Sequence, residues 1–361
     1  MLTPFYDPNK TYEENFENGP FGAFAESFGG PKGAIIEKDG PKFDFMGFKV
    51  NSPFGIAAGP LINSKFVNAA LDKGFDLPIY KTVRSVVFPC HPYPNVVPIK
   101  IEGDLTLQKM KEGVIIDPNN KGIPELITNS FGVPSRDPEI WQKDVKKSVS
   151  HARDGQVVIL SFMGTVRENQ TEDEFVADYV LAAKRAKETG AKVLEINLSC
   201  PNIGNEGLVC FDIKTTKKVC EAVRKEIGGI PLIAKIAYFQ ESENLKNLIQ
   251  EIGRLVQAVS SVNTLPAKVL DKNGKQALPG EHRLISGLCG HAIKWAGLAM
   301  VRKLKKIREE LGYKYTIIGV GGVMNADDFF EYRDAGADVV MSATGAMWNP
   351  YLAKEIKERL G

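Results

Sequence analysis

Residues 315–344 read "YTIIGVGGVMNADDFFEYRDAGADVVMSAT", and this stretch decides the fold. An apolar run from Tyr315 to Val320 ends at Gly321 and Gly322, and a helical pattern follows. Asn325 stands at an N-cap position, and Asp327 and Asp328 fall in the first turn, where acids complement the positive end of the helix dipole. A second apolar run, "ADVVMSAT", closes the unit at Thr344. Runs that are apolar along their whole length, instead of alternating, suit strands buried on both faces. That is the pattern of a parallel sheet covered by helices.

The same rhythm extends back along the chain. The earlier runs are "FGIAAG" (Phe54 to Gly59), "LPIYKTV" (Leu77 to Val83), "QVVILSF" (Gln156 to Phe162), "KVLEINL" (Lys192 to Leu198), "PLIAKIA" (Pro231 to Ala237) and "LVQAVSSVNT" (Leu255 to Thr264). Between them lie helical stretches with their own punctuation. "TEDEFVADYVLAAKRAKETG" opens on the capping box Thr171/Glu174 and stops at Gly190. "NPYLAKEIKERLG" puts Asn349 and Pro350 at N-cap and N1. Eight such strands alternating with helices predict an α/β fold, a closed (β/α)8 TIM barrel over residues 46–361. An open doubly wound sheet competes, but it would place one glycine-rich turn after its first strand, whereas here polar residues follow nearly every strand.

Residues 1–45, rich in Gly, Pro, Asn and Phe, read as an N-terminal extension that wraps the body, with a short hairpin or helix. Two connections are long, residues 84–135 after strand two and residues 264–290 after strand six. In the second, "KVLDKNGKQAL" reads as a small hairpin turning at "KNGK". Loops of that length in a compact domain usually carry function.

Composition narrows the function classes. The 361 residues are 43% hydrophobic and 25% charged, the balance of a soluble globular protein. A net charge of +2 from 46 basic and 44 acidic residues gives no reason to expect a nucleic-acid partner. No run approaches the ~18 apolar residues of a membrane span, and the N-terminus lacks the basic start and apolar core of a signal peptide. Five cysteines without a CxxC pair fit a reducing cytoplasm, and the even spacing of Cys200, Cys210 and Cys220 matches no metal site.

In a barrel the site lies at the C-terminal ends of the strands. Those ends supply Ala58 and Gly59, Lys81 and Thr82, then Asn197, Cys200 and Asn202, then Lys235, Asn263 and Thr264, with Asn129 from the long loop after strand two. The set is rich in amides, with two lysines and a thiol, and holds neither the carboxylate pair of a glycosidase nor a zinc cluster. Gly321 and Gly322, with Ala343 and Thr344 after strand eight, suit a phosphate held by backbone N–H groups. Lys81 and Lys235 each interrupt an apolar strand. Buried lysines are rare unless something anionic meets them, and two together suit an electron-accepting ring.

Taken in order, "AAG" (Ala57 to Gly59), "YKTVRS" (Tyr80 to Ser85), "NSFGVP" (Asn129 to Pro134), "NLSCPN" (Asn197 to Asn202), "AKI" (Ala234 to Ile236), "VNT" (Val262 to Thr264), "SGLCG" (Ser286 to Gly290), "GVGGV" (Gly319 to Val323) and "SAT" (Ser342 to Thr344) resemble the motifs of class 1 dihydroorotate dehydrogenases. These are FMN enzymes of pyrimidine synthesis that use a cysteine base. The resemblance implies that Cys200 removes the C5 proton of dihydroorotate while C6 delivers hydride to flavin N5. It implies that Lys81 contacts flavin and substrate and that Lys235 stabilises the reduced ring. Asn129, Ser130, Phe131, Gly132, Val133, Asn197, Asn202, Asn263 and Thr264 would grip dihydroorotate or orotate. Ala58, Gly59, Lys81, Thr82, Asn129, Asn197, Lys235, Gly287, Gly321, Gly322, Ala343 and Thr344 would hold FMN. A thiol suits the base because nearby cations can lower its pKa from ~8.5 toward neutrality.

The resemblance further implies a cytoplasmic homodimer that returns its electrons to fumarate or another soluble acceptor, or through an iron–sulfur partner subunit. The departures are Phe131 and Ser135 on the substrate loop and "IGNEG" (Ile203 to Gly207) after Cys200. They drift toward the flavin domain of dihydropyrimidine dehydrogenases, although that family tends to lack the asparagine present here as Asn202. Two alternatives therefore stand beside dihydroorotate oxidation: a dihydrouracil-type dehydrogenase, and a barrel that binds flavin or a pyrimidine without turnover.

Overall fold

The computed structural model describes residues 3–26, 40–120, 122–199 and 209–361. Its centre is a closed barrel of eight strands. They are β1 (Phe54–Ile56), β2 (Leu77–Arg84), β3 (Ile159–Met163), β4 (Val193–Asn197), β5 (Leu232–Lys235), β6 (Ala258–Ser261), β7 (Thr316–Val320) and β8 (Val339–Ser342). Neighbours around the barrel are neighbours in sequence and every pairing is parallel, β8 closing on β1 through Met341 opposite Gly55. The barrel expected from the alternating runs is thus the observed fold.

Helices α1 (Ser64–Asp72), α2 (Pro138–His151), α3 (Glu172–Lys187), α4 (Ile213–Ile227), α5 (Ser242–Ile252), α6 (Lys294–Leu311), α7 (Ala326–Ala335) and α8 (Leu352–Leu360) cover the outside. In α4 the buried residues Thr216, Val219, Cys220, Val223 and Ile227 recur at three- and four-residue steps and form one inward stripe. Cys220 is therefore a core residue. The capping box at Thr171 forms with both of its hydrogen bonds, and Asn325 accepts from the Asp328 N–H at 3.0 Å. Asn349 behaves differently from its expected N-cap role. The last helix begins at Leu352, and Asn349 instead accepts from the Tyr351 N–H at 3.0 Å while its Nδ2 donates to Glu355. The proline turn delays the helix by two residues and the asparagine braces that turn.

Inside the barrel, Leu77, Ile79, Ile159, Val193, Ile233, Ala258, Ile318, Val339 and Met341 make an apolar plug that also takes in Phe45 and Val50. The latter two belong to a hairpin, Phe43–Phe45 paired with Phe48–Val50. Residues 3–26 pack onto the body as well. The Phe5 N–H donates to the Met347 carbonyl at 2.9 Å, and a helix at Tyr12–Asn18 docks through the Asn63 Nδ2 bond to the Phe16 carbonyl at 2.7 Å.

The two long connections meet in space. They form one five-stranded sheet in the order Ile99–Lys100, Val114–Ile116, Leu265–Leu270, Ile285–Cys289, Ile127–Asn129. The turn anticipated at "KNGK" is present, with the Asp271 N–H donating to the Lys275 carbonyl at 2.8 Å. Through this sheet, Asn129 from the first connection lies beside Gly287 from the second.

Candidate active site

Two adjoining cavities open where the barrel strands end. The first spans about 580 Å³ including its mouth open to solvent, and its wall is mainly apolar, with Tyr6, Ala57, Val96, Ile127, Val320 and Met347 among its residues. The second spans about 390 Å³ including its mouth open to solvent and is polar, with Lys81, Thr82 and Asn197 on its wall. Ala58, Gly59, Asn129, Phe131, Lys235, Asn263 and Thr264 line both. A flat ligand with one apolar and one hydrogen-bonding side fits such a pair. The space in front of Gly59 is open, with no atom within 4 Å of where a Cβ would stand. The buried Thr264 Oγ1 has no partner among the described residues, a hydroxyl left for a ligand.

Lys235 is 3% exposed and donates from Nζ to the Ala58 carbonyl at 3.2 Å. Lys81 is also buried, its Nζ 5.1 Å from the centre of the Phe131 ring. The amides are tied together. Asn197 Oδ1 accepts from the Ser199 N–H at 3.0 Å, and Asn263 Nδ2 donates to the Ser199 carbonyl and, at 3.4 Å, to Asn197 Oδ1. Tyr179 Oη holds the Asn197 carbonyl at 3.1 Å. This web fixes the backbone immediately before Cys200.

A polar layer runs across β2, β3 and β4 from the cavity wall at Thr82. Thr82 Oγ1 and Ser161 Oγ share a hydrogen bond at 2.9 Å, Ser161 also bonds the Glu195 carboxyl, and Lys235 attracts that carboxyl from the next strand. Glu195 is 1% exposed, and its Oε1 has no partner among the described residues. Burial raises its pKa above the ordinary carboxyl range, with Lys235 and the Ser161 bond pulling it partly back. A carboxyl raised in the folded state contributes stability that is complete below its unfolded value of ~4.3 and is lost as pH climbs through the folded value. The melting temperature of Glu195→Gln, measured against the native chain, should therefore improve as pH rises above the unfolded carboxyl value of ~4.3. A difference that shrinks with pH would show that Lys235 outweighs burial.

The structure brings Ala58, Gly59, Lys81, Thr82, Asn129, Phe131, Val133, Asn197, Lys235, Asn263, Thr264, Ala343 and Thr344 onto the two walls. Ser130 and Gly132 lie in the loop that follows Asn129, Gly287 in the strand Ile285–Cys289, and Gly321 and Gly322 in the bend after β7, none of them on the walls. Gly321 and Gly322 have φ of 121° and 73°, and a Cβ on Gly322 would fall 2.7 Å from that of Lys294, so this turn requires glycine. Cys200 and Asn202 lie outside the described residues. Sequence reasoning missed Tyr6, Cys289, Met347 and Glu195. For Glu195 a signal existed: it is an acid inside an apolar strand, two residues before Asn197 and hence on the same face.

Fold and site together give a parallel barrel with an apolar and a polar cavity side by side where its strands end. The sequence profile of the family described as dihydroorotate dehydrogenase matches residues 42–361. A dihydroorotate dehydrogenase of Dictyostelium discoideum is 38% identical, over 97% of this chain and 95% of that protein. The catalytic subunit of a dihydroorotate dehydrogenase B (NAD(+)) from Staphylococcus carnosus is 32% identical over 56% of this chain and 61% of its own length. A solved structure of DHODH from Eimeria tenella, in complex with ferulenol, superposes with a TM-score of 0.68 at 18% identity, covering 91% of this chain and 85% of that one, a likeness of fold. The chain belongs to the dihydroorotate dehydrogenase family.

Proposed function

We propose that this chain oxidises dihydroorotate to orotate with FMN as cofactor, in pyrimidine biosynthesis. The observation that carries the reading is the shared wall of the two cavities, where Lys235, Asn129, Asn263 and Thr264 face both spaces. FMN, when bound, supplies the hydride acceptor. Ala58, Gly59, Thr82, Lys235, Ala343 and Thr344 would hold it, with the strand glycine Gly287 and the glycine turn at Gly321 and Gly322 behind them. Lys235 would place a fixed positive charge where negative charge develops on reduction. Lys81, Asn129, Asn197 and Asn263 would orient the substrate ring and its carboxylate in the polar cavity, and Phe131 would exclude water above it. Cys200 as thiolate would take the C5 proton, one proton gained by sulfur for one lost by carbon, as hydride leaves C6. Asn197 and Asn263 anchor the residue before it.

The electrons would pass to fumarate or another soluble acceptor, or to an iron–sulfur partner subunit, from a cytoplasmic homodimer. Among the described residues no helix is long and apolar enough to cross a membrane. The deciding experiment is anaerobic: dihydroorotate should bleach the flavin absorbance of the purified holoenzyme and dihydrouracil should not. Bleaching by dihydrouracil alone would transfer the reading to that substrate, and bleaching by neither would leave only a binding barrel. Reoxidation compared across fumarate, NAD and a quinone identifies the acceptor.

A further inference from the structure

We propose that Arg283, on the long connection after β6, is a positioning residue that fixes the loop Asn129–Val133 in its substrate-gripping shape. The proposal rests on the reading of that loop as the substrate's. Arg283 is 2% exposed, yet its hydrogen-bond partners among the described residues include no carboxylate. Its guanidinium meets hydroxyl and carbonyl oxygens. Nε donates to Ser130 Oγ at 3.2 Å, Nη1 to the carbonyls of Pro92 and Pro279 at 2.6 Å each, and Nη2 to the carbonyls of Pro94 at 2.9 Å and Ser130 at 3.1 Å. The five N–H groups of a guanidinium are matched by five bonds. They reach three separate chain segments, so the residue is a staple and not a surface charge.

The far side of the same loop carries a second staple. Arg84, 1% exposed on β2, donates from Nε to the Val133 carbonyl at 2.9 Å and from Nη2 to the Gly132 carbonyl at 3.2 Å. The His91 N–H donates to the Phe131 carbonyl at 3.0 Å. The carbonyls of Ser130, Phe131, Gly132 and Val133 are thus all drawn into the protein. Gly132 and Val133 have φ of 74° and 56°. A β-branched residue at positive φ is strained and persists only where its surroundings over-determine it. Arg283 is a part of that restraint that the connection after β6 supplies, which gives the connection a role in substrate affinity. Arg283 itself lies on neither cavity wall.

The test measures orotate binding to oxidised holoenzyme by perturbation of the flavin spectrum, with flavin content and steady-state kinetics alongside. Arg283→Gln should retain flavin and bind orotate at least about tenfold more weakly, with KM for dihydroorotate rising more than kcat falls, since a displacement of about 1 Å can cost up to about 10²-fold. Arg283→Lys, which keeps the charge but loses the planar fork, should fall between the two. A glutamine variant with normal flavin content and unchanged orotate affinity overturns the proposal. So does a lysine variant that binds like the native chain, which also covers the case where the glutamine variant does not fold. Native holoenzyme that binds no orotate would instead remove the substrate reading, and this proposal with it.

Discussion

Lys235→Met is expected to slow reduction of the flavin by dihydroorotate by roughly 10²–10³-fold, the usual cost of deleting one fixed donor aimed at developing charge. The position of the side chain argues for that role. It is 3% exposed on β5, opposite Asn197 on β4, and it forms part of the wall of both cavities. Methionine keeps the volume and removes the charge, so packing around it is largely preserved. The change also strips Glu195 of the cation that opposes its burial. Removing one member of a buried pair costs about 3–5 kcal/mol when the other stays charged. A raised carboxyl escapes most of that by taking up a proton, so the loss of stability should be small at acid pH and grow as pH rises. The double variant Lys235→Met/Glu195→Gln should recover the stability and none of the rate. Thermal melts and anaerobic stopped-flow reduction separate the two effects. A single variant that reduces its flavin within a few-fold of the native rate would show that Lys235 is structural.

The strand pattern was readable because each barrel strand is buried on both faces and leaves an unbroken apolar run, and because Thr171 and Asn325 announce their helices. The order of polar residues at the strand ends was readable for the same reason: closure of the barrel brings consecutive ends together. What stayed hidden depends on register and on long-range pairing. Glu195 becomes part of the polar layer because Ser161 and Ile233 stand opposite it on the flanking strands. Arg283 becomes a staple because the sheet made from both long connections carries it to Ser130, 153 positions away in sequence. Tyr6 reaches the cavity because the N-terminal segment folds back to set its ring 5.5 Å from that of Phe131. The face that Glu195 occupies follows from its spacing to Asn197, but its partners do not, and neither the place of Arg283 nor that of Tyr6 follows from local spacing, since each partner comes from a different part of the chain.

Cys200→Ala is expected to lower the rate of flavin reduction by about 10²–10⁴-fold, the usual contribution of a general base. No other thiol in the described structure is suited to replace it. Cys90 and Cys289 are pushed up to about 11 by burial and Cys210 and Cys220 to about 12, so all four are protonated at neutral pH. Cys289 even lines the first cavity, but as a thiol bonded to Thr344 it has little thiolate to offer. Ser199, the residue before Cys200 in sequence, is fixed by Asn197 and Asn263, and the polar cavity that these two asparagines line also carries Lys81 and Lys235, cations of the kind that favour a thiolate. With Cys200 as the base, the native rate should rise with pH as the thiol ionises and then level off. Cys200→Ser replaces the thiol with a far weaker acid, so its residual rate should keep climbing into alkaline solution. Anaerobic reduction followed across pH distinguishes the two profiles. If the serine variant levelled off at the same pH as the native chain, or reduced its flavin equally fast at neutral pH, the proton would be leaving C5 for another group. The polar layer of Thr82, Ser161 and Glu195 that runs from the wall of the same cavity would then be the place to look for it.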